Sequence, residues 1–191
     1  IGKIEVNHLL FKFGKEWTAP ATEFIPEDAE GNVLVIGDVG RAKLSGAVKE
    51  ALAEGKRVLA LDPFYFGESK IHRLDFLFAI LVAAIGERPL GIQAGQVAAV
   101  SAWLGNETGK PVEIRSFGPR SGLFALVAAS LGGKEIASLK AKGGLGSLKE
   151  ILSRNWGANR YPELFCFGLL EHFDVRQLAA LAEPSKISLL P

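Results

Sequence analysis

A serine flanked by glycines, placed where an apolar strand turns into an apolar helix, is a common way to present a nucleophile. Residues 112–130, VEIRSFGPRSGLFALVAAS, have that layout, with Gly118-Pro119-Arg120-Ser121-Gly122 at the turn. In a G-x-S-x-G nucleophile elbow the central residue takes strained backbone angles, and small residues two positions to either side remove the clashes. Gly118 and Gly122 meet that demand only with Arg120 at the centre. Were Ser121 central, the flanks would be Pro119 and Leu123, both bulky. A guanidinium stays protonated and cannot attack a carbonyl, but it grips a carboxylate or phosphate with two parallel hydrogen bonds. Arg120 is therefore a candidate anion-binding residue. Ser121 is the candidate catalytic residue of an altered turn, and a third reading is a plain strand-to-helix loop with Ser121 as helix cap.

A serine nucleophile needs a base. The histidines are His8, His72 and His172, and the order serine, acid, histidine that accompanies such an elbow leaves only His172, in Glu171-His172-Phe173-Asp174. A structural histidine beside a helix start explains that residue better than a catalytic one. A nucleotide-binding module is the competing class: Gly37-Asp38-Val39-Gly40 follows a strand, and Asp62 stands 25 residues after Gly37, where a ribose-binding acid would sit. The G-x-G spacing is missing, and Asp38 would set a negative charge beside a pyrophosphate. Phe64, Tyr65 and Phe66 form an aromatic loop that suits either an interaction surface or core packing. No cofactor motif and no metal-ligand spacing stands out.

These residues need a scaffold. Asn32 to Gly37 and Arg57 to Asp62 are short continuous apolar runs, the pattern of parallel strands covered on both faces. A helix from Ser45 or Gly46 to about Glu54, ended by Gly55, joins them into a βαβ unit. Helix is expected from about Leu74 to Ile85 and again from about Gln93 to Leu104, with a break around Gly86 to Gly91 that contains Pro89. The strand Val112 to Phe117 leads through the turn to a helix over Leu123 to Leu131. A strand over Lys134 to Lys140, a Gly143–Gly146 loop, and a helix over Ser147 to Arg154 capped by Ser147 follow. Residues 155–172 read as a surface excursion, Asp174 as the cap of a helix over Arg176 to Leu181 stopped by Pro184, and Ile187 to Leu190 as a last strand. Residues 1–20 read as an irregular lead-in, and residues 1–31 as holding one or two edge strands, with Ile4 to Val6 and Thr22 to Ile25 as short extended candidates and Pro20 and Pro26 as breakers. The alternation predicts one three-layer α/β domain over residues 1–191 with a mostly parallel, doubly wound sheet.

Composition narrows the partners. Twenty-two basic and 21 acidic residues leave a net charge of +1, so no global field recruits nucleic acid or a membrane surface, and Lys134, Lys140 and Lys142 read as a solvated rim. The longest apolar run, Phe76 to Ile85, is too short for a bilayer, which takes about 20 residues. The chain reads as soluble. The single Cys166 cannot form an internal disulfide. The expected partner is a small-molecule ester or anion, and oligomeric state and compartment stay open; a removed leader would make the chain secreted or periplasmic.

Four segments, over roughly residues 20–191, resemble the α/β-hydrolase fold superfamily, nearest its acetyl xylan esterase and dienelactone hydrolase branch. Val33-Leu34-Val35-Ile36-Gly37 is similar to the strand that normally ends in His-Gly. Asp62-Pro63-Phe64-Tyr65-Phe66-Gly67-Glu68-Ser69 resembles the D-x-R-G-x-G-x-S stretch after the next strand. The elbow with its Ala-rich helix is the third segment. Residues 143–152 with 173–191 look like the approach to the acid-bearing strand. The resemblance implies carboxylic-ester hydrolysis by a serine nucleophile, with backbone N–H groups of Asp38 and Ser121 forming the oxyanion hole. Ile36 replaces the histidine, Arg120 replaces the serine, and the family's last strand and helix, its acid and its late histidine would fall beyond Pro191. The expectation is an esterase-like domain without a complete triad, with a degenerate elbow.

Overall fold

Asn32 to Gly37 offers water no polar face, so a strand built from it must be covered on both sides. The computed structural model describes residues 3–71, 75–131 and 134–190. It places this segment at the centre of a seven-stranded sheet, with all six residues buried. The strands are β1 (Ile4–Phe13), β2 (Trp17–Pro26), β3 (Asn32–Gly37), β4 (Arg57–Leu61), β5 (Val112–Phe117), β6 (Ile136–Lys142) and β7 (Lys186–Leu190). Their spatial order is β1-β2-β4-β3-β5-β6-β7. β3 to β7 are parallel, and β1 and β2 are antiparallel to their neighbours.

The helices are α1 (Ser45–Ala53), α2 (Asp75–Ala84), α3 (Pro89–Thr108), α4 (Pro119–Ser130), α5 (Glu150–Ser153), α6 (Leu169–His172) and α7 (Val175–Leu181). Alternate residues of a strand face opposite sides, which sorts them into two cores. Val33, Val35, Val58 and Ala60 pack with Val48 and Ala51 of α1. On the other face Leu34, Ile36, Leu59, Ile114 and Leu139 pack with α3, α4 and α7. Each such buried aliphatic side chain stabilises by about 1.5–3 kcal/mol. The strand order changes direction between β3 and β5, the place where open α/β sheets leave a crevice at their carboxyl ends. Asp38 and Gly118 follow those two ends.

Several elements differ from the expectation. The extended candidates Ile4 to Val6 and Thr22 to Ile25 fall inside two ten-residue strands, so residues 1–20 are not irregular: β1 and β2 pair without interruption from Ile4↔Pro26 to Phe13↔Trp17. Pro20 is tolerated because N–H and C=O of one residue point to the same side of a strand, and its C=O already meets Asp62 N just past the last pairing of β2 with β4. Its missing N–H therefore costs the β1–β2 ladder nothing, and on the β4 side Asp62 O accepts Ser69 Oγ at 3.3 Å instead. Pro89 opens α3 instead of merely ending its predecessor, so Gly91 lies inside that helix. Likewise α4 begins at Pro119, four residues early, and takes in Arg120, Ser121 and Gly122. Residues 155–172 are not wholly surface: Pro162, Glu163 and Leu164 form a buried 3-10 turn. The expected helix over Ser147 to Arg154 shrinks to α5, although Ser147 Oγ still accepts Lys149 N at 3.1 Å. Asp174 caps α7 in a reciprocal capping box with Gln177. His72 and the expected helix start at Leu74 lie outside the described residues.

The loop after β4 is latched to the loop after β3. Asp62, 1 % exposed, accepts Arg41 N at 2.7 Å and Glu68 N at 3.0 Å and forms an ion pair with Arg41. A Cβ on Gly67 would collide with that carboxylate, and Gly67 has φ +51°. Gly67→Ala should therefore lower unfolding stability by about 1–3 kcal/mol. Gly46→Ala, in α1 with nothing near its would-be Cβ, should leave stability equal or raise it by up to about 1 kcal/mol. Urea unfolding of both variants checks the contrast.

Candidate functional site

The turn after β5 places its unusual backbone at Gly118, with φ 114° and ψ 164°. Arg120 is a helical residue in the first turn of α4. The expected strained apex at Arg120 is therefore corrected: the tight position is a glycine, and the reason is a neighbour. A Cβ at Gly118 would collide with the carboxylate of Asp38. Gly122 lies close to a second backbone segment, where a Cβ would come 3.3 Å from Gly144 Cα.

Asp38 projects from the end of β3 onto the start of α4. Its Oδ1 accepts Ser121 N at 2.7 Å, and its Oδ2 accepts Arg120 N at 3.2 Å. The carboxylate thus satisfies two of the N–H groups that a helix start leaves unpaired, at the positive end of the helix dipole. Burial pushes the Asp38 carboxyl above the usual aspartate range, against the hydrogen bond from Ser121 N, which pulls it down. The N–H of Asp38 itself donates to Phe117 O at 2.9 Å. Both backbone donors expected of an oxyanion hole are already engaged inside the chain.

The side chain of Arg120 turns inward. Its Nε donates to Glu163 Oε2 at 2.8 Å and its Nη2 to Glu163 Oε1 at 2.6 Å, the bidentate geometry of an arginine–carboxylate pair. The guanidinium carbon lies 4.4 Å from the centre of the Phe66 ring. Glu163 Oε1 also accepts Gln93 Nε2 at 3.1 Å, and the same nitrogen reaches Phe64 O at 3.1 Å. Gln96 Oε1 accepts Phe64 N at 2.6 Å. These bonds tie α3, α4, the aromatic loop and the 162–165 turn together. Arg120 therefore spends its fork on Glu163, where the sequence suggested an exogenous anion. The buried atoms Gln93 Oε1, Gln96 Nε2 and Ser116 Oγ have no hydrogen-bond partner.

Ser121 is 0 % exposed, and its hydroxyl donates to Gly118 O at 3.3 Å. Among the described residues no histidine bonds to it. His172 is exposed on α6, and His8 lies 3.4 Å from Thr22 Oγ1 on the β1–β2 hairpin. Asp62 serves the Arg41 latch and leaves no free acid for a ribose. Phe66 and Tyr65 are both buried, Phe66 edge-on to Phe124 at 5.2 Å and Tyr65 stacked on Phe78. No group of His, Cys, Asp and Glu among the described residues could hold a metal ion. Glu163, Gln93 and Gln96 escaped the sequence reading. The available signal was a carboxylate inside the apolar stretch Pro162-Glu163-Leu164-Phe165, since an acid in such company is seldom buried without a partner.

No family model matches the sequence, and no curated protein resembles it significantly. Solved structures do. A candidate acetyl xylan esterase from Bacteroides fragilis matches 95 % of the chain with a TM-score of 0.78 at 14 % identity. The chain has the α/β-hydrolase fold. A dienelactone hydrolase from Anabaena variabilis matches 100 % of it with a TM-score of 0.59 at 18 % identity. A thermostable carboxyl esterase from Bacillus coagulans matches 83 %, with a TM-score of 0.59 at 15 % identity. The chain spans 58 % of the Bacteroides protein, 55 % of the Bacillus one and 87 % of the Anabaena one. Within this α/β-hydrolase fold, Asp38 and the Arg120–Glu163 pair sit at the carboxyl ends of β3 and β5.

Breaking the pair on one side leaves a buried charge alone. Glu163→Ala should cost about 3–5 kcal/mol, while the double change Arg120→Met with Glu163→Leu should recover most of that loss; thermal and urea unfolding measure both. Asp38 gives a pH signature. Its folded carboxyl binds a proton more tightly than the unfolded one, so its contribution is greatest at low pH and is lost as pH rises from the ordinary aspartate value through the raised one. Asp38→Asn should remove that component, seen as a flatter dependence of unfolding stability on pH above the ordinary aspartate value.

Proposed function

We propose that this chain is an esterase-like α/β-hydrolase domain that does not cleave esters through a serine triad. The observation that carries the reading is the Asp38 carboxylate at Ser121 N, 2.7 Å away. In acyl transfer by this kind of fold, an N–H at the start of the helix after the elbow stabilises the negative oxygen of the tetrahedral intermediate. A fixed carboxylate in that place would repel such an oxygen. The buried Ser121 hydroxyl, the arginine locked to Glu163 and the absence of a histidine bonded to Ser121 among the described residues support the same reading. The likeness to esterases and hydrolases speaks for the scaffold. A scaffold carries no guarantee of its relatives' chemistry.

The experiment is direct. With p-nitrophenyl acetate and butyrate, the wild-type chain and Ser121→Ala should differ by less than about twofold, whereas removal of a working serine nucleophile costs on the order of 10⁶-fold in kcat. A fluorophosphonate probe should leave Ser121 unlabelled. Labelling of Ser121, with esterase activity abolished by Ser121→Ala, would overturn the proposal and restore a carboxylic-ester hydrolase.

A further inference from the structure

One edge of the sheet is β1, and the direction of its free backbone groups follows from Pro20. Pro20 turns its C=O to Asp62 N on β4, so it and every second residue of β2 face β4, and the residues between them face β1. Through the register Leu10↔Pro20, the even-numbered residues of β1 therefore hold their N–H and C=O groups away from β2. Ile4, Val6, His8, Leu10 and Lys12 form this outward row. Among the described residues no strand lies beyond it, and none of these backbone groups has a hydrogen-bond partner.

Free edges are ordinarily blunted by shortness, proline, bulges or charges. The opposite edge, β7, has five residues, whereas β1 has ten, contains no proline and pairs with β2 without a register shift. The side chains of its outward row lie on the α1 face, where the register aligns His8 with Thr22 and Ala60. Two of them, Val6 and Leu10, are apolar and 49 % and 58 % exposed. They stand two positions to either side of His8, so the row complements itself when a second β1 runs antiparallel about a twofold axis at His8. Of the antiparallel registers only this one pairs every outward residue: Val6 with Leu10, Ile4 with Lys12, and His8 with its counterpart. It covers both exposed apolar side chains and sets none of Lys3, Glu5 and Lys12 opposite a like charge.

We propose that β1 docks a second copy of this chain by antiparallel pairing of the two β1 strands about His8. β2, β4 and β3 separate this edge from β5, so the pairing does not depend on the reading of the elbow. It uses the same edge on both copies and therefore closes at a dimer. Sedimentation of the wild-type chain up to about 200 μM should show a monomer–dimer equilibrium, and the amides of Val6, His8 and Leu10 should gain protection from hydrogen exchange as the dimer forms. Val6→Glu and Leu10→Lys should each raise the dimer dissociation constant by about tenfold or more, because each sets a charge opposite an apolar side chain on both sides of the axis. Combined in one chain, the two changes set a carboxylate opposite an ammonium across the axis, and the double variant should dimerise about fivefold or more tighter than either single one. Within one chain the two positions are about 13 Å apart along the strand and cannot pair. Neither side chain belongs to a core, so urea unfolding should find all three variants folded. A chain that stays monomeric over this range, a dimer indifferent to the single changes, assembly that grows past the dimer, or a double variant no tighter than the single ones overturns the proposal.

Discussion

A guanidinium inside a protein has to be matched by a carboxylate and by neighbouring donors, because an unpaired charge at low dielectric costs several kcal/mol. Arg120, buried at the start of α4, imposes that requirement on its surroundings. Glu163 meets it with both carboxylate oxygens, Gln93 supports Glu163 from α3, and Phe66 closes the guanidinium's face. Segments from four places in the chain are drawn together by one cation. Pro162, Glu163 and Leu164 are buried beside it, and the aromatic loop after β4 is fastened to α3 through both the N–H and the C=O of Phe64.

A second carboxylate governs the neighbouring backbone. Asp38 satisfies the first N–H groups of α4 and excludes a side chain at position 118. In the α/β-hydrolase fold this corner is where positive ends of peptide dipoles gather, and enzymes with such a corner aim them at reacting substrate. Here they are used up by the chain itself. The geometry of the corner survives without the availability of its donors, and the same sheet serves as scaffold whichever use is made of it.

The central strands β3 and β4 were legible because near-continuous apolar runs of five or six residues have few alternatives, and β5, VEIRSF, was legible from the glycine-flanked turn that follows it; all three stand within one residue of their expected places. The helix α7 and its Asp174 cap were legible for a similar local reason, since the capping box is built from residues three apart. Of the β1–β2 hairpin only two short extended pieces were. Its alternation is diluted by polar residues and prolines, and its pairing is decided by β4, which lies more than thirty residues downstream of Pro26. Helix starts at proline were also obscured, because proline ends one helix and opens the next with the same ring.

By itself, the sequence determined the parallel core, the α/β layering and the position of the turn after β5, because hydrophobic period and glycine placement act over a few neighbouring residues. It also determined that arginine would occupy that turn. Only the tertiary structure decided what the arginine does. A spacing of G-x-x-x-G cannot tell a strained apex from the first turn of a helix, and it cannot say which distant acid will face a charge. Those outcomes depend on Asp38 and Glu163, brought to Arg120 from 82 and 43 residues away. Long-range electrostatic pairing of this kind is set by the folded geometry, since the unfolded chain leaves each of these groups to water.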